Sequence, residues 1–293
     1  MKTLSKLVST SSVSLLVITS PVLISGSHKK INEVSVASTP AISAANYTSL
    51  FSANTTKTNN SIKYAAAIAT NKSTNNANYA ASAAARKAFE IKMVIREATS
   101  IYDSMRLGRT GLNQKAFEYA WRGYHNLLKR GIVHKSNVLS ICDFTQSSRH
   151  KRLYVIDVTH RKLIYNTFVA HGMNSGVEYA TSFSNQPESF KSSLGFFLTN
   201  KSYVGRNGLS LKIIGLEKGY NDLAAKRNIV LHGADYIGNE YLANNGEMGR
   251  SLGCAAIPTQ VNPKIIKSIK NGSALFMYYP AKKYLSSSSV ING

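Results

Sequence analysis

Seven short runs of β-type residues follow one another after Asn137, and Gly, Asn and Ser fill the gaps between them. Short runs that are separated by turn residues are typical of a mainly β domain. Only Leu223–Arg227 and Pro263–Lys270 have a helical pattern within this region. We therefore expect a β-sandwich or a partly closed barrel. The runs are Val138–Phe144, Leu153–Val158, Leu163–Ala170, Leu194–Leu198, Leu209–Ile214, Ile229–His232 and Ala274–Tyr279.

Two helical patterns precede these runs. Apolar residues recur at three- and four-residue steps over residues 83–106, and with a period near 3.6 over residues 112–128. Gly131 ends the second pattern, as glycine does at many helix C-termini. The patterns predict a helical lead-in over residues 87–131 and a β domain over residues 132–281.

The first residues have the pattern of a secretory signal peptide. Lys2 and Lys6 precede a short apolar stretch, which small residues follow up to Ser27. We expect a signal peptide over residues 1–27 and an exported protein, in the periplasm or cell envelope or secreted, with an uncleaved N-terminal anchor as the alternative.

Residues 28–86 form a low-complexity segment that is rich in Ala, Ser, Thr and Asn. Such a composition buries too little apolar surface to offset the entropy of ordering. We expect a flexible tether, whose Ala-rich end at Ala80–Ala85 is compatible with the start of a helix. The Ser-rich residues 282–293 predict a flexible tail.

The chain has 36 Lys and Arg against 14 Asp and Glu, a formal charge of +22. An excess of this size attracts polyanions, which for an exported protein are anionic cell-envelope polymers or lipid surfaces. No nucleic-acid-binding motif accompanies the charge, which argues against nucleic acid as the partner. Nothing in the sequence implies a stable protein partner.

The strongest chemical signal is a His at the end of an apolar run and a Cys in a glycine-flanked turn. His232 is followed by Gly233, and Cys254 is preceded by Gly253. If neighbouring strands carry them, His232 can take the proton of Cys254 and create a thiolate nucleophile for acyl transfer. The N–H groups of Gly253 and Cys254 would face the developing oxyanion. The spacing alone leaves open a buried structural thiol and a structural His.

Other chemistries fit these residues less well. The seven His are scattered without paired ligand spacing, which disfavours a zinc site, and we expect no metal. Papain-like and NlpC-type peptidases place Cys before His, whereas His232 precedes Cys254. Sortases require an Arg after the Cys, and Arg250 is the last Arg in the chain. Cys142 lies in an apolar run and is expected to be a buried structural thiol.

Many blocks of residues over about 112–281 occur in a characteristic order. They include Ala116–Ala120, Arg152–Asp157, Val169–Gly172, Gly208–Leu211, Gly215–Glu217 and Gly249–Ser251. In this order they resemble the murein L,D-transpeptidase catalytic domain family, a branch of the YkuD-like enzymes. The resemblance implies a mostly β YkuD-like fold and a cofactor-free cysteine enzyme that acts on peptidoglycan stem peptides.

The resemblance implies acyl transfer through a thioester. Cys254 would attack the carbonyl of the third stem residue and expel a terminal D-amino acid, while His232 moves protons. The amides of Gly253 and Cys254 would form the oxyanion hole. The acceptor stays open: a stem amine gives a 3-3 cross-link, water gives an L,D-carboxypeptidase, and an envelope-protein lysine gives an anchoring enzyme.

The resemblance also implies a set of residues for substrate binding or loop positioning. The set comprises Arg250, Ser251, His171, Gly172 and Gly233. Arg250 would bind a substrate carboxylate or position the loop, and the plainer alternative is a solvated charge. For His171 the plainer alternative is a turn residue that is bonded to the backbone.

Three positions depart from the family pattern. Leu252 stands where better-known YkuD enzymes have a second His, Ala255 where the branch has Pro, and Asn207 where it often has His. Leu252 and Asn207 support an alternative function: a non-catalytic, basic envelope-binding protein on a degenerate YkuD-like fold. Raised salt would abolish such binding.

Overall fold

The protein is described by a computed structural model over residues 76–293, with side chains from residue 82 onward. The expected signal peptide 1–27 and most of the expected tether lie outside these residues. Helix α1 (Asn76–Ser104) includes the last part of the tether. No helix within residues 76–293 is long and apolar enough to cross a membrane.

Helix α2 (Gln114–Lys129) follows α1 after a 3-10 turn at Leu107–Thr110. The Asn113 side chain caps α2 at its start by accepting hydrogen bonds from two backbone N–H groups. Gly131, with a φ of 65°, lies just beyond its C-terminal end. The structure therefore has the two helices that the sequence pattern predicts.

Within residues 76–293, eight strands form one sheet, in the order β3-β2-β1-β8-β4-β5-β6-β7. The pairs β1–β8 and β6–β7 are parallel, and the other neighbours are antiparallel. The strands are β1 (Val138–Asp143), β2 (Leu153–Asp157), β3 (Lys162–Thr167), β4 (Gly195–Gly205), β5 (Gly208–Gly215), β6 (Val230–Ala234), β7 (Ala255–Pro258) and β8 (Ala274–Tyr278).

The two edge strands of the sheet, β3 and β7, nearly meet. The segment 168–173, which follows β3, hydrogen-bonds with the segment 251–256 around the start of β7. One of these bonds runs from Ala170 N–H to Ala256 O at 2.8 Å. We call these two paired segments the seam. The sheet is thus a nearly closed barrel, which confirms the expected mainly β, partly closed fold.

Helices cover the central strands of the sheet. Helix α2 packs on β1 and β8, and α4 (Asn262–Ile269) packs on β1 and β5. Gly123 of α2 permits a close approach to the sheet, since a Cβ there would lie 2.2 Å from the Phe196 ring. Every residue of β1 and β8 is consequently buried.

The local structure differs from the sequence-based prediction at two places. Leu223–Arg227 forms successive turns rather than a helix. Strand β7 was not predicted, because its sequence Ala-Ala-Ile-Pro contains residues with low strand preference. The short helix α3 (Asn239–Asn245) lies in the connection between β6 and β7.

The C-terminal residues form two short helices in place of the expected flexible tail. They are α5 (Lys282–Ser287) and α6 (Ser289–Asn292), and they bury Tyr284, Val290 and Ile291. The buried Glu217 carboxylate accepts hydrogen bonds from the Tyr284 hydroxyl at 2.7 Å and from the Ser288 hydroxyl. Burial of apolar side chains and these hydrogen bonds order a segment whose Ser content suggested disorder.

Candidate active site

The candidate nucleophile lies at one end of the parallel pair β6–β7. Because parallel strands start at the same edge of a sheet, the residues before β6 and before β7 lie close together. Cys254 directly precedes β7 and is partly exposed. Its thiol donates to the carbonyl oxygen of Asn228 at 3.6 Å, and Asn228 has a left-handed φ of 54°.

His232 lies inside β6, opposite Ala256 of β7, and is 4% exposed. Its Nδ1 is 2.9 Å from the carbonyl oxygen of Gly233. A carbonyl can only accept, so Nδ1 carries the hydrogen of the neutral ring and Nε2 is left as an acceptor. Within the described part of the chain Nε2 has no hydrogen-bond partner, and neither ring nitrogen bonds the Cys254 thiol.

Ser251 organises the turn that carries Cys254. Its hydroxyl donates to the Cys254 carbonyl oxygen at 2.7 Å and accepts from the Gly253 N–H at 3.0 Å. Gly253 has a φ of 117°, and a Cβ there would approach the Lys191 carbonyl oxygen to 2.8 Å. In this structure the Gly253 N–H has the Ser251 hydroxyl as its partner. The oxyanion roles of the Gly253 and Cys254 amides stay predictions.

Arg227 is a candidate functional residue that the sequence analysis missed. Its guanidinium donates to the carbonyl oxygens of Ser184 at 2.7 Å and Lys191 at 2.6 Å. It also donates to the hydroxyls of Ser193 at 2.5 Å and Ser189 at 3.2 Å. All four acceptors are neutral, so the cation has no carboxylate partner in these contacts.

The Arg227 guanidinium lies beside the turn that carries Cys254. A Cβ on Gly253 would be 3.2 Å from Arg227 Nη2. Burial raises the pKa of the Cys254 thiol, while the Val230 amide and the Arg227 charge act in the opposite direction and lower it. The net pKa is raised, so the resting state is the neutral thiol and a base is needed to form the thiolate.

His171 is structural in this geometry. Its Nδ1 is 2.7 Å from Arg152 Nη2, its Nε2 is 3.0 Å from the carbonyl oxygen of Gly176, and its side chain is fully buried. Burial, followed by the Arg152 charge, lowers the pKa of His171 to about 4. The carbonyl oxygen of His171 accepts the Ser251 N–H at 2.9 Å. His171 therefore positions the turn of Ser251 and Cys254 through its backbone carbonyl.

Of the other predicted site residues, Gly172 and Gly233 allow neighbouring segments to pack closely, and Arg250 is accessible to solvent. The Gly172 N–H donates to the Ser192 hydroxyl at 3.0 Å, and a Cβ on Gly233 would lie 3.1 Å from Asn262. Both glycines thus allow close approach of neighbouring segments. Arg250 is partly exposed, and its guanidinium forms no hydrogen bond or ion pair with residues 82–293. It is available for a substrate carboxylate.

The three departures from the family pattern lie in different surroundings. Leu252 is 63% exposed beside the buried Ser251 and Gly253. Ala255 is buried in β7, and Asn207 is exposed in the turn between β4 and β5. Leu252 is therefore the exposed departure in the turn of Cys254, whereas Ala255, which directly follows Cys254, is buried.

The second thiol differs from Cys254. Cys142 is buried in β1, where burial raises its pKa to about 12. Both cysteines are free thiols. No group of three or more His, Cys, Asp or Glu side chains among the described residues could hold a metal ion.

Residues 108–278 match the YkuD_2 family, whose description is L,D-transpeptidase catalytic domain. The match covers more than half of the chain, and the chain belongs to this family. A search of curated proteins found no match to this chain.

Several solved structures are similar to the chain at low sequence identity. An L,D-transpeptidase from Mycobacterium smegmatis is 12% identical, over 49% of this chain and 59% of that chain, with a TM-score of 0.30. An LD transpeptidase in complex with imipenem is 8% identical, over 48% and 59% of the two chains, with a TM-score of 0.30. One from Xylanimonas cellulosilytica is 14% identical, over 53% and 68%, with a TM-score of 0.29. The chain spans about three fifths of the length of the first two structures.

Proposed function

We propose that the protein is an exported peptidoglycan L,D-transpeptidase with Cys254 as nucleophile and His232 as general base. One observation carries this proposal: in a chain of the L,D-transpeptidase catalytic domain family, a partly exposed thiol lies at the start of β7, beside the strand that holds His232. Membership of a catalytic family favours an enzyme over the non-catalytic envelope-binding alternative.

The first half-reaction forms a thioester. His232 Nε2, the ring nitrogen without a hydrogen, takes the Cys254 proton as the sulfur attacks the carbonyl of the third stem residue. For this transfer the thiol gives up its weak hydrogen bond to Asn228 O and donates to His232 Nε2. Catalytic hydrogen bonds often tighten only when substrate is bound. The bond to the terminal D-amino acid breaks, and His232 returns the proton to the leaving amine.

Two arginines support this step. Arg227 offsets the burial cost of the Cys254 thiolate through its positive charge. Arg250, whose guanidinium has no partner in the described protein, binds a carboxylate of the donor stem. Because the chain supplies nucleophile, base and cations, the reaction needs no metal or organic cofactor.

The second half-reaction releases the acyl group to an acceptor. An amine of a neighbouring stem gives a 3-3 cross-link, and water gives the L,D-carboxypeptidase reaction. The signal-peptide pattern of residues 1–27 supports export, and the charge of +22 supports attraction to anionic envelope polymers.

The test is turnover of disaccharide-linked tetrapeptide stems, followed by mass spectrometry of the products and assay of released D-amino acid. The wild-type protein should release D-amino acid and form cross-linked dimers or tripeptide stems. The matched control, Cys254→Ala, should do neither. Release that persists in Cys254→Ala, or no release by folded wild-type protein, would contradict the proposal.

One of the similar structures is in complex with imipenem. We propose that a carbapenem also acylates Cys254 in this protein, since opening of the β-lactam by a thiolate is the same acyl-transfer step.

A further inference from the structure

A groove of about 650 Å³ lies between the two edge strands, beyond the end of the seam. Strand β3 contributes Tyr165, helix α3 contributes Tyr241, and β7 contributes its last residue, Pro258. The groove is therefore formed where the nearly closed sheet stays open. Its position makes it separate from the turn that carries Cys254, at the other end of β7.

Six polar groups line this groove. Among the described residues none of them has a side-chain hydrogen-bond partner. They are the amides of Asn239, Asn244 and Gln260, the carboxylate of Glu240 and the hydroxyls of Tyr165 and Tyr241. By contrast, Asp235 in the same groove accepts a hydrogen bond from the Thr259 hydroxyl at 2.6 Å. The groove thus offers donors and acceptors to a polar ligand.

The charge of the groove is opposite to that of the chain. Its described lining contains one cation, Lys151, and two carboxylates, Asp235 and Glu240, whereas the chain as a whole has a charge of +22. A polyanion would therefore bind elsewhere on the surface. Amide groups and tyrosine rings instead suit a neutral ligand with hydroxyl and acetamido groups and an apolar face, as an N-acetylated sugar has.

The distance from the groove to Cys254 fits the substrate of the proposed reaction. Cys254 precedes β7 and Pro258 ends it, so the two are four residues of extended strand apart, or about 13 Å. Three residues of an extended stem peptide span about 10–11 Å. The two lengths are comparable, so a stem whose sugar lies at the Pro258 edge of the groove can bring its third residue near the thiol.

We propose that this groove binds the glycan strand of peptidoglycan, at the N-acetylated amino sugar that bears the donor stem. The inference rests on the proposed function. The sugar and the stem together bridge the groove and Cys254, so the enzyme selects stems that are attached to glycan over free stem peptides.

The first test is binding of stem-free N-acetylglucosamine tetramer to the full chain with Cys254→Ala, measured by calorimetry. Tyr241→Ala and the exposed Gln260→Ala should weaken binding by about tenfold, which corresponds to loss of one or two hydrogen bonds and a ring contact. The matched control is Tyr203→Ala on the β4–β5 hairpin, which should bind as the parent does. Binding should also persist at 0.5 M salt, since the ligand is neutral.

Several results would overturn the proposal. They are absence of tetramer binding, equal binding by the groove variants and the control, or binding that high salt abolishes. Circular dichroism melts of each variant would separate lost binding from lost folding, and the exposed position of Gln260 makes it the safer variant.

The second test compares KM for glycan-linked stems with KM for free tetrapeptide. The preference for the glycan-linked stem, as the ratio of the two KM values, should fall about tenfold in Tyr241→Ala and stay unchanged in Tyr203→Ala. If the wild type turns over neither substrate yet binds the tetramer, the proposed function fails and the glycan site stands. If it turns over both with equal KM and does not bind the tetramer, only the glycan site fails.

Discussion

The molecule contains two clusters, each with a Cys, an Arg and a His, that differ in their access to solvent. In the closed cluster, Cys142, Arg152 and His171 are all fully buried. Arg152 donates to the Val169 carbonyl oxygen and contacts His171 Nδ1 at 2.7 Å, so the guanidinium and both ring nitrogens have partners. Burial raises the pKa of Cys142 to about 12, and this thiol stays protonated at neutral pH.

In the open cluster, Cys254 and Arg227 are partly exposed, and His232 Nε2 has no partner among the described residues. Arg227 lies beside the turn of Cys254 and lowers the pKa of its thiol against the effect of burial. The two clusters contain the same residue types, so residue type does not distinguish Cys254 from Cys142. Access for a substrate and an uncommitted basic nitrogen distinguish the two clusters.

The largest expected effect is on turnover, which should differ between variants of the two thiols. Cys254→Ala should lower release of D-amino acid from tetrapeptide stems by at least about 10³-fold, because the covalent intermediate cannot form. Cys142→Ala should keep turnover within about twofold, while denaturant unfolding shows a loss of about 1–2 kcal/mol for the missing buried atom. Equal loss of turnover in both variants would remove the distinction between the clusters.

Substitutions of the two histidines should likewise have different effects, on activity for His232 and on stability for His171. His232→Gln should lower kcat by about 10²–10⁴-fold with little change in Tm, as expected for removal of a general base. His171→Gln should mainly lower the free energy of unfolding, by about 2 kcal/mol, because it disturbs the buried bond to Arg152. Steady-state kinetics and thermal melts of both variants check this. The assignment is contradicted if His232→Gln keeps wild-type kcat.

The closed cluster should also make folding stability depend on pH. His171 has a pKa of about 4 in the folded protein against 6.5 ordinarily. As pH falls below 6.5 the unfolded chain binds a proton that the folded protein does not, so stability decreases between pH 6.5 and 4, by about 3 kcal/mol in total.

Urea unfolding at pH 7 and pH 4.5 measures this loss. His171→Gln should make the loss smaller by about 2–3 kcal/mol. The control is His150→Gln at an exposed position, which should keep the wild-type loss. An unchanged pH dependence in His171→Gln would show that this ring is not held neutral in the fold.

The smallest expected effect concerns Arg227. Arg227→Gln removes a positive charge near Cys254, so the thiol pKa should rise and alkylation by iodoacetamide at pH 8 should slow about tenfold. Arg227→Lys keeps the positive charge but loses most hydrogen bonds of the guanidinium, and it should retain much of the wild-type alkylation rate. Arg206→Gln, at an exposed turn position, is the control. A pH–rate midpoint in Arg227→Gln that matches the wild type would rule out the electrostatic role.

Much of the fold was predictable because periodicity reports local burial. All seven predicted runs overlap strands of the sheet, and the two lead-in helices are present. Strand β7 and the packed tail were not predictable in this way. Ala255 and Ala256 become a strand through pairing with β6, and Tyr284 is ordered through the distant Glu217. Both depend on tertiary contacts that local composition does not encode.

The candidate site was predictable in part, for a similar reason. The motif around Cys254 is local, but Arg227 is remote in sequence and carried no motif. A signal existed, because Arg227 shortly precedes β6 and Cys254 precedes its parallel neighbour β7. The partner of the Gly253 amide, Ser251, depends on the conformation of the turn and could be read only from the structure.

The intact mass of the protein after incubation with imipenem tests most directly whether Cys254 is the activated thiol. We expect a mass increase of one drug molecule for the wild type and for Cys142→Ala, and none for Cys254→Ala. An adduct on Cys254→Ala, or no adduct on the folded wild type, would show that Cys254 is not the activated thiol.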